Sequence, residues 1–185
     1  MKALLKIEWI KTWRSWPIFI LGIGMPVAFY LLYSSIVSSP TPELQKEFLK
    51  TYMLTMTGFS MSSFGLFTFP YMLQEDQTEH WLTYIEHSKI SIWSYYLSKI
   101  FRVLLNFIVA IIVTFCVGAY FRNVEMPLSV WIGSGVLLLL SSLVFLAFGL
   151  LIAQIKSQQI MSIVANIIYP VSYTHLRAHE TRHDL

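Results

Sequence analysis

The chain has 185 residues, 56% of them hydrophobic and only 12% charged, with a net charge of +3. That balance excludes an ordinary soluble domain and gives no basic field of the size nucleic acid needs, so nucleic acid is excluded as a partner. One cysteine, Cys116, excludes an intrachain disulfide framework.

Residues 1–15 predict a short helix of their own. Leu5, Trp9, Trp13 and Trp16 fall on one arc at helical spacing, while Lys11 and Arg14 point away. That is the pattern of a helix lying in a membrane interface, with Trp9, Trp13 and Trp16 as anchors at headgroup depth. The alternative is a cytoplasmic continuation of the first span. Pro17 then stands where a proline is tolerated, at a helix start.

Four apolar stretches follow, each of about the 20 residues a bilayer crossing requires: Trp16–Val37, Tyr52–Leu73, Phe101–Phe121 and Ser129–Ala153. A fifth begins near Ile160 and is cut short. The predicted fold class is therefore all-α, a polytopic transmembrane bundle over 16–169 with four complete spans and a truncated fifth. No acid or base lies inside a span, so the relay or ion-coupling residue of a pump is missing. Gly58 with Ser62, and Gly149 with Ala153, offer small faces for close helix packing. Asn106 and Asn166 are the expected interhelical hydrogen-bonding side chains.

Orientation follows the basic residues of short loops. Lys2, Lys6, Lys11, Arg14, Lys89, Lys99, Arg102 and Lys156 fall on one side, against Lys46, Lys50 and Arg122 on the other. This predicts a cytoplasmic N-terminus, with 38–51 and 122–128 outside.

The longest segment between spans is 74–99. Asp76-Gln77-Thr78-Glu79 fits a capping-box helix start, with Glu75, Asp76 and Glu79 at the positive end of the helix dipole. Trp81, Leu82 and Ile85 follow on one side, ending near Ser88, and Ile92–Leu97 forms a second amphipathic stretch. A small aromatic helix at a membrane face suits docking into a groove on a soluble partner, or lying on lipid. His80 and His87 read as solvated side chains. No phosphate loop, metal-ligand cluster or nucleophile–base pair occurs, so no catalytic residue, metal or cofactor is assigned.

These residues resemble the membrane subunit of ABC-2-type transporters. The likeness rests on Glu75-Asp76-Gln77-Thr78-Glu79, then Trp81-Leu82-Thr83-Tyr84-Ile85, then Ser88-Lys89, with Lys99 closing the loop; Gln77 stands for the family's glycine and Lys89 for its proline. The opening MKALLKIEWIKTWR is similar to small permeases of peptide-antibiotic export and immunity systems. The resemblance implies an interfacial N-terminal helix, six spans in a plasma (inner) membrane, and a second permease copy. It also implies a separate ABC ATPase that couples through Glu75, Asp76, Glu79, Trp81, Leu82, Ile85 and Ser88. Export of a hydrophobic or amphipathic compound is the implied activity. The rival readings are a membrane sensor or immunity protein and an intramembrane enzyme, the latter disfavoured because no span holds a His, Asp, Glu or Lys.

Composition changes after Pro170. Val171–Leu185, VSYTHLRAHETRHDL, places three of the five histidines where the fifth span should continue. Val171–Thr181 resembles a translated sequencing adapter without a gap, so 170–185 is read as non-native rather than as a histidine metal face. Amplification of the gene from source DNA should yield an apolar continuation after Tyr169 and a sixth span. Recovery of the Val171–Thr181 codons from that DNA overturns the reading.

Overall fold

The computed structural model describes residues 2–88 and 90–180, with the side chains of Lys2, Ala3, Phe19 and 171–180 left aside. Lys89 and the end of the adapter-like stretch, 181–185, lie outside the described residues. Every regular element among the described residues is helical.

Helix α1 is Lys2–Arg14. The chain leaves helical geometry at Ser15 (φ −94°, ψ 28°) and restarts as α2, Trp16–Ile36, with Pro17 in its first turn and a π turn at Ile20–Gly24. The uninterrupted continuation of the first span is thus replaced by a break. Helix α3 runs unbroken over 42–78, as Pro42–Ser63, a π turn at Phe64–Thr68, and Phe69–Thr78. Thr41 caps it, its hydroxyl accepting from Leu44 N–H at 3.4 Å. Residues 43–50, within the stretch expected outside, are therefore the first part of α3. A short α4, Trp81–Glu86, is followed by α5, Ile92–Arg122, α6, Leu128–Ile152, and α7, Gln158–Glu180.

Among the described residues, three helices are long and apolar enough to cross a bilayer: Trp16–Ile36, Ile92–Arg122 and Leu128–Ile152. The stretch expected as a second span, Tyr52–Leu73, lies within α3, where Ser and Thr dilute the apolar run and the π turn divides it. The truncated fifth lies on α7.

Two predicted pieces fuse. Ile92–Leu97 and the third span form the single 31-residue α5. At 1.5 Å per residue it extends about 46 Å, well beyond a hydrocarbon core of about 30 Å. That length lets α5 extend past the apolar layer, and 74–99 is not a loop: the last turns of α3 and the first turns of α5 form a helical stem topped by α4.

The core lies where α3 packs between α2, α5 and α6. Phe64, Phe69, Leu73, Val103 and Phe107 fill it, and Ile85 of α4 joins the same cluster. Outward-facing apolar residues such as Leu137 (65% exposed) and Leu140 (58%) form the surface that lipid would cover. Polar ties between helices come from residues other than those anticipated. Ser60 donates to the Gly22 carbonyl at 2.7 Å, and the Gln74 amide to the Lys156 carbonyl at 3.1 Å. Asn166 instead bonds the Ser162 carbonyl of its own helix, and Asn106 is buried with its carbonyl oxygen unpartnered.

These contacts bring α1, the α3–α5 stem and Lys156 to one end of the bundle. At the other end, Arg122 donates to the Leu31 carbonyl and the Ser35 hydroxyl, while Val124 packs with Tyr30 and Met53.

Gly149 fulfils the close-packing expectation, since a Cβ there would strike the Gly65 carbonyl oxygen across the α3–α6 contact. Gly133 on the same helix has nothing within 4 Å. Gly149→Val should lower stability in detergent by about 1–3 kcal/mol through overpacking, while Gly133→Val should leave the thermal unfolding midpoint nearly unchanged.

Candidate functional site

The most concentrated chemistry in the molecule is a buried cluster of charges where α1, α3 and α5 meet. On α1, Leu4, Glu8, Lys11 and Ser15 recur at helical spacing, so they share one face opposite the tryptophans. Leu4 and Glu8 are buried, while Trp9, Trp13 and Trp16 are 60%, 77% and 61% exposed. On α5, Tyr95, Lys99 and Arg102 share a face in the same way. The stem of α3 contributes Asp76.

Lys99 sits at the centre. Its ammonium lies 2.8 Å from Glu8 Oε1 and 2.6 Å from Asp76 Oδ2, and its side chain is 1% exposed. Arg102 Nη1 donates to Glu8 Oε2 at 3.0 Å and Nη2 to Ser15 Oγ at 2.9 Å. Asp76 also accepts from Lys11 Nζ at 3.0 Å and from the Tyr95 hydroxyl at 2.8 Å. Lys11 in turn lies over the Trp81 ring, 5.6 Å from its centroid, so α4 is attached to the cluster by a cation–π contact.

Burial pushes the Asp76 carboxyl upward, but the nearby Lys99 charge and hydrogen bonds from Lys99, Tyr95 and Lys11 outweigh it and hold the group below the usual carboxylate range. Its stabilisation is therefore fully present above its unfolded pKa of about 3.9 and is lost as pH falls through the lowered folded value.

The capping-box reading of Asp76 and Glu79 is corrected. Asp76 is inside α3, 1% exposed, and Glu79 lies just after the helix, donating its N–H to the Glu75 carbonyl. Helical geometry breaks at His80 (φ 58°), and α4 starts there with no side-chain cap. The apolar stretch of α3 carried enough helix to overrun the local start signal.

The other candidate residues divide. Ile85 is 2% exposed and belongs to the bundle's own core, and Trp81 and Leu82 are half-buried against that core. Glu75 and Glu79 are exposed, as are Ser88 and Tyr84, the last by 69%. The Ser88 hydroxyl donates to the Ile85 carbonyl at 2.8 Å and accepts from Ile90 N–H, closing the turn.

Sequence reasoning missed Glu8, Ser15 and Tyr95, and assigned Lys11, Lys99 and Arg102 to orientation alone. One signal was present: Glu8 is the only acid before Glu43, in an otherwise basic segment. Among the described residues no group of His, Cys, Asp and Glu could hold a metal ion. The cluster's own ion pairs join α1, α3 and α5.

Residues 1–173, which hold α1, the stem and the long helices, match the family model described as ABC-2 type transporter. The chain belongs to that family. The match ends three residues into the adapter-like stretch. The chain is also 23% identical over 169 residues to the Bacillus subtilis (strain 168) protein named "Putative transport permease YvfS". That alignment covers 91% of this chain and 65% of the relative, so the chain spans a little under two thirds of the relative's length. No solved structure matches.

Removing Lys99 would leave two buried carboxylates facing each other. Lys99→Met should destabilise the protein by about 3–5 kcal/mol, measured as loss of folded protein in a denaturant titration. Adding Asp76→Leu should recover part of that loss.

Proposed function

We propose that this ABC-2 chain is the membrane-spanning permease subunit of an ATP-driven exporter of a hydrophobic or amphipathic compound, such as a drug, a peptide antibiotic or a lipid-like molecule. It works with a separate ABC ATPase and a second permease copy in a plasma (inner) membrane, with α3 crossing as a further span and α1 at the cytoplasmic interface.

The observation that carries this reading is the attachment of α4. The short helix stands at the end of the α3–α5 stem, held by buried Ile85 and by the Trp81–Lys11–Asp76 chain of contacts. A displacement of α4 by a closing ATPase therefore acts on α1, α3 and α5 together, and the bundle answers as packed rigid bodies. Glu75, Asp76, Glu79, Trp81, Leu82, Ile85 and Ser88 remain the proposed coupling set, in two roles. Asp76 and Ile85 brace the element, while Trp81, Leu82 and the exposed residues around them meet the ATPase.

Orientation is supported by the excess of basic residues at the end that holds α1, the stem and Lys156. In a Cys116→Ser background, a cysteine at Thr41 should react with an impermeant thiol reagent added outside intact cells, and one at Gln77 should not. The reverse labelling pattern overturns the orientation and the docking role with it.

Docking is tested by co-purification with the ATPase. Anchor residues at interfaces commonly contribute about 2 kcal/mol or more, so Trp81→Ala combined with Tyr84→Ala should weaken binding about thirtyfold while membrane insertion stays normal. Glu79→Ala should change it little, because Glu79 caps nothing. Unchanged binding by the double variant would show that α4 rests on lipid and not on the ATPase.

A further inference from the structure

A second feature of the stem lies on the other side of Tyr95 from the charge cluster. A cavity of about 400 Å³ opens between the stem, α4 and the end of α6. That volume is within the range of roughly 300–1,000 Å³ common to small-molecule sites. Its floor is apolar: Ile100 of α5, and Leu150 and Ala153 at the end of α6. Leu73 and Leu82 close one wall.

The polar part of the lining is specific. Gln77 and Gln154, both exposed residues, supply the side-chain amides among the lining residues, none of which carries a carboxylate, ammonium or guanidinium. That is notable because Asp76 and Lys99 are immediate sequence and helical neighbours. Both are turned into the cluster and neither lines the cavity, whereas Tyr95 does, with its hydroxyl committed to Asp76 at 2.8 Å. An ionic headgroup would therefore meet no counter-charge here, whereas amides can donate to and accept from an uncharged one.

The setting indicates how an occupant arrives. The cavity adjoins the apolar flank of α5, where Leu97 is 51% exposed, and Trp93 stands at its rim, 79% exposed, as an aromatic does at the headgroup level of a bilayer. A molecule entering from the adjoining leaflet keeps its apolar body in contact with apolar surface throughout.

We propose that this cavity binds an uncharged amphiphile, with its alkyl body against Ile100, Leu150 and Ala153 and a hydroxyl- or amide-bearing head at Gln77 and Gln154. The occupant touches Leu82 of α4 and the ring of Tyr95 together, so binding bears on the α4 attachment and on the charge cluster at once. The proposal rests on the membrane placement of α5 and α6.

The test uses the whole chain in nanodiscs of zwitterionic phospholipid, with an alkyl maltoside bearing a photoactivatable diazirine on its chain as the probe. Labelling mapped by mass spectrometry should saturate and concentrate on residues 93–100 and 150–154. Excess unlabelled alkyl maltoside should abolish it, and an alkyl sulfate of equal chain length should not. Gln154→Glu, placing a carboxylate at the mouth, and Ala153→Phe, filling the floor, should each reduce it about tenfold, with labelling of Leu137 and Leu140 unchanged. Ala153 is buried, so if that variant fails to fold, the exposed Gln154 substitution decides alone. Labelling that rises without saturation, spreads evenly over the lipid-facing helices or survives the substitution is general partitioning and overturns the proposal. Equal competition by the alkyl sulfate overturns it as well.

Discussion

The ammonium of Lys99 between Glu8 and Asp76 is the contact on which the arrangement at this end of the molecule depends. Three helices far apart in sequence each bring a charge that would be costly to bury alone, and each charge is tolerable only because the others are in place. Glu8 answers both Lys99 and Arg102, and Asp76 answers Lys99, Lys11 and the Tyr95 hydroxyl. The apolar contacts of the bundle leave many helix rotations nearly equal in energy, since lipid is as apolar as a neighbouring helix. A geometry-sensitive ion cluster at the end of the spans selects one of them.

The same cluster explains how an element as short as α4 can have a fixed position. Six residues are too few for a helix to be stable by itself. Here the helix is pinned from below by Ile85 and from the side by Trp81 against Lys11, and its first turn is aimed by the backbone at His80. Its other side, with Tyr84, is exposed. A rigidly seated element with an exposed aromatic suits a partner's groove; Ile85 serves the seating alone, Tyr84 lies on the exposed side, and half-buried Trp81 belongs to both.

Most of the fold was legible in the sequence because span length and hydropathy are strong, local signals. The long helices, the Pro17 start, the helix between the stem segments and the close packing at Gly149 all follow from composition and spacing. Where the sequence misled, a local rule was overridden by a neighbour. The Asp76–Glu79 pattern has the spacing of a capping box, yet α3 is long enough to run through it. Ile92–Leu97 looked separate because charged Lys99 intervenes and Arg102 stands at the start of the span, and those charges are neutralised across helices by Glu8 and Asp76. Nothing in one helix reveals a partner on another. The amphipathic reading of α1 likewise found the tryptophan face and passed over the opposite one, where Glu8 is placed.

The π turn at Phe64–Thr68 has a consequence for the phase of α3. A residue in a regular helix turns the chain by about 100°, so one surplus residue would carry every later side chain a quarter-turn or more out of place. A π turn takes up such a residue locally. Ser60, before the turn, faces Gly22 of α2, and Asp76, after it, faces Lys99 of α5. The two halves of α3 therefore keep separate angular settings, one for the apolar layer and one for the stem, and the turn between them is the joint at which either setting can be trimmed without disturbing the other.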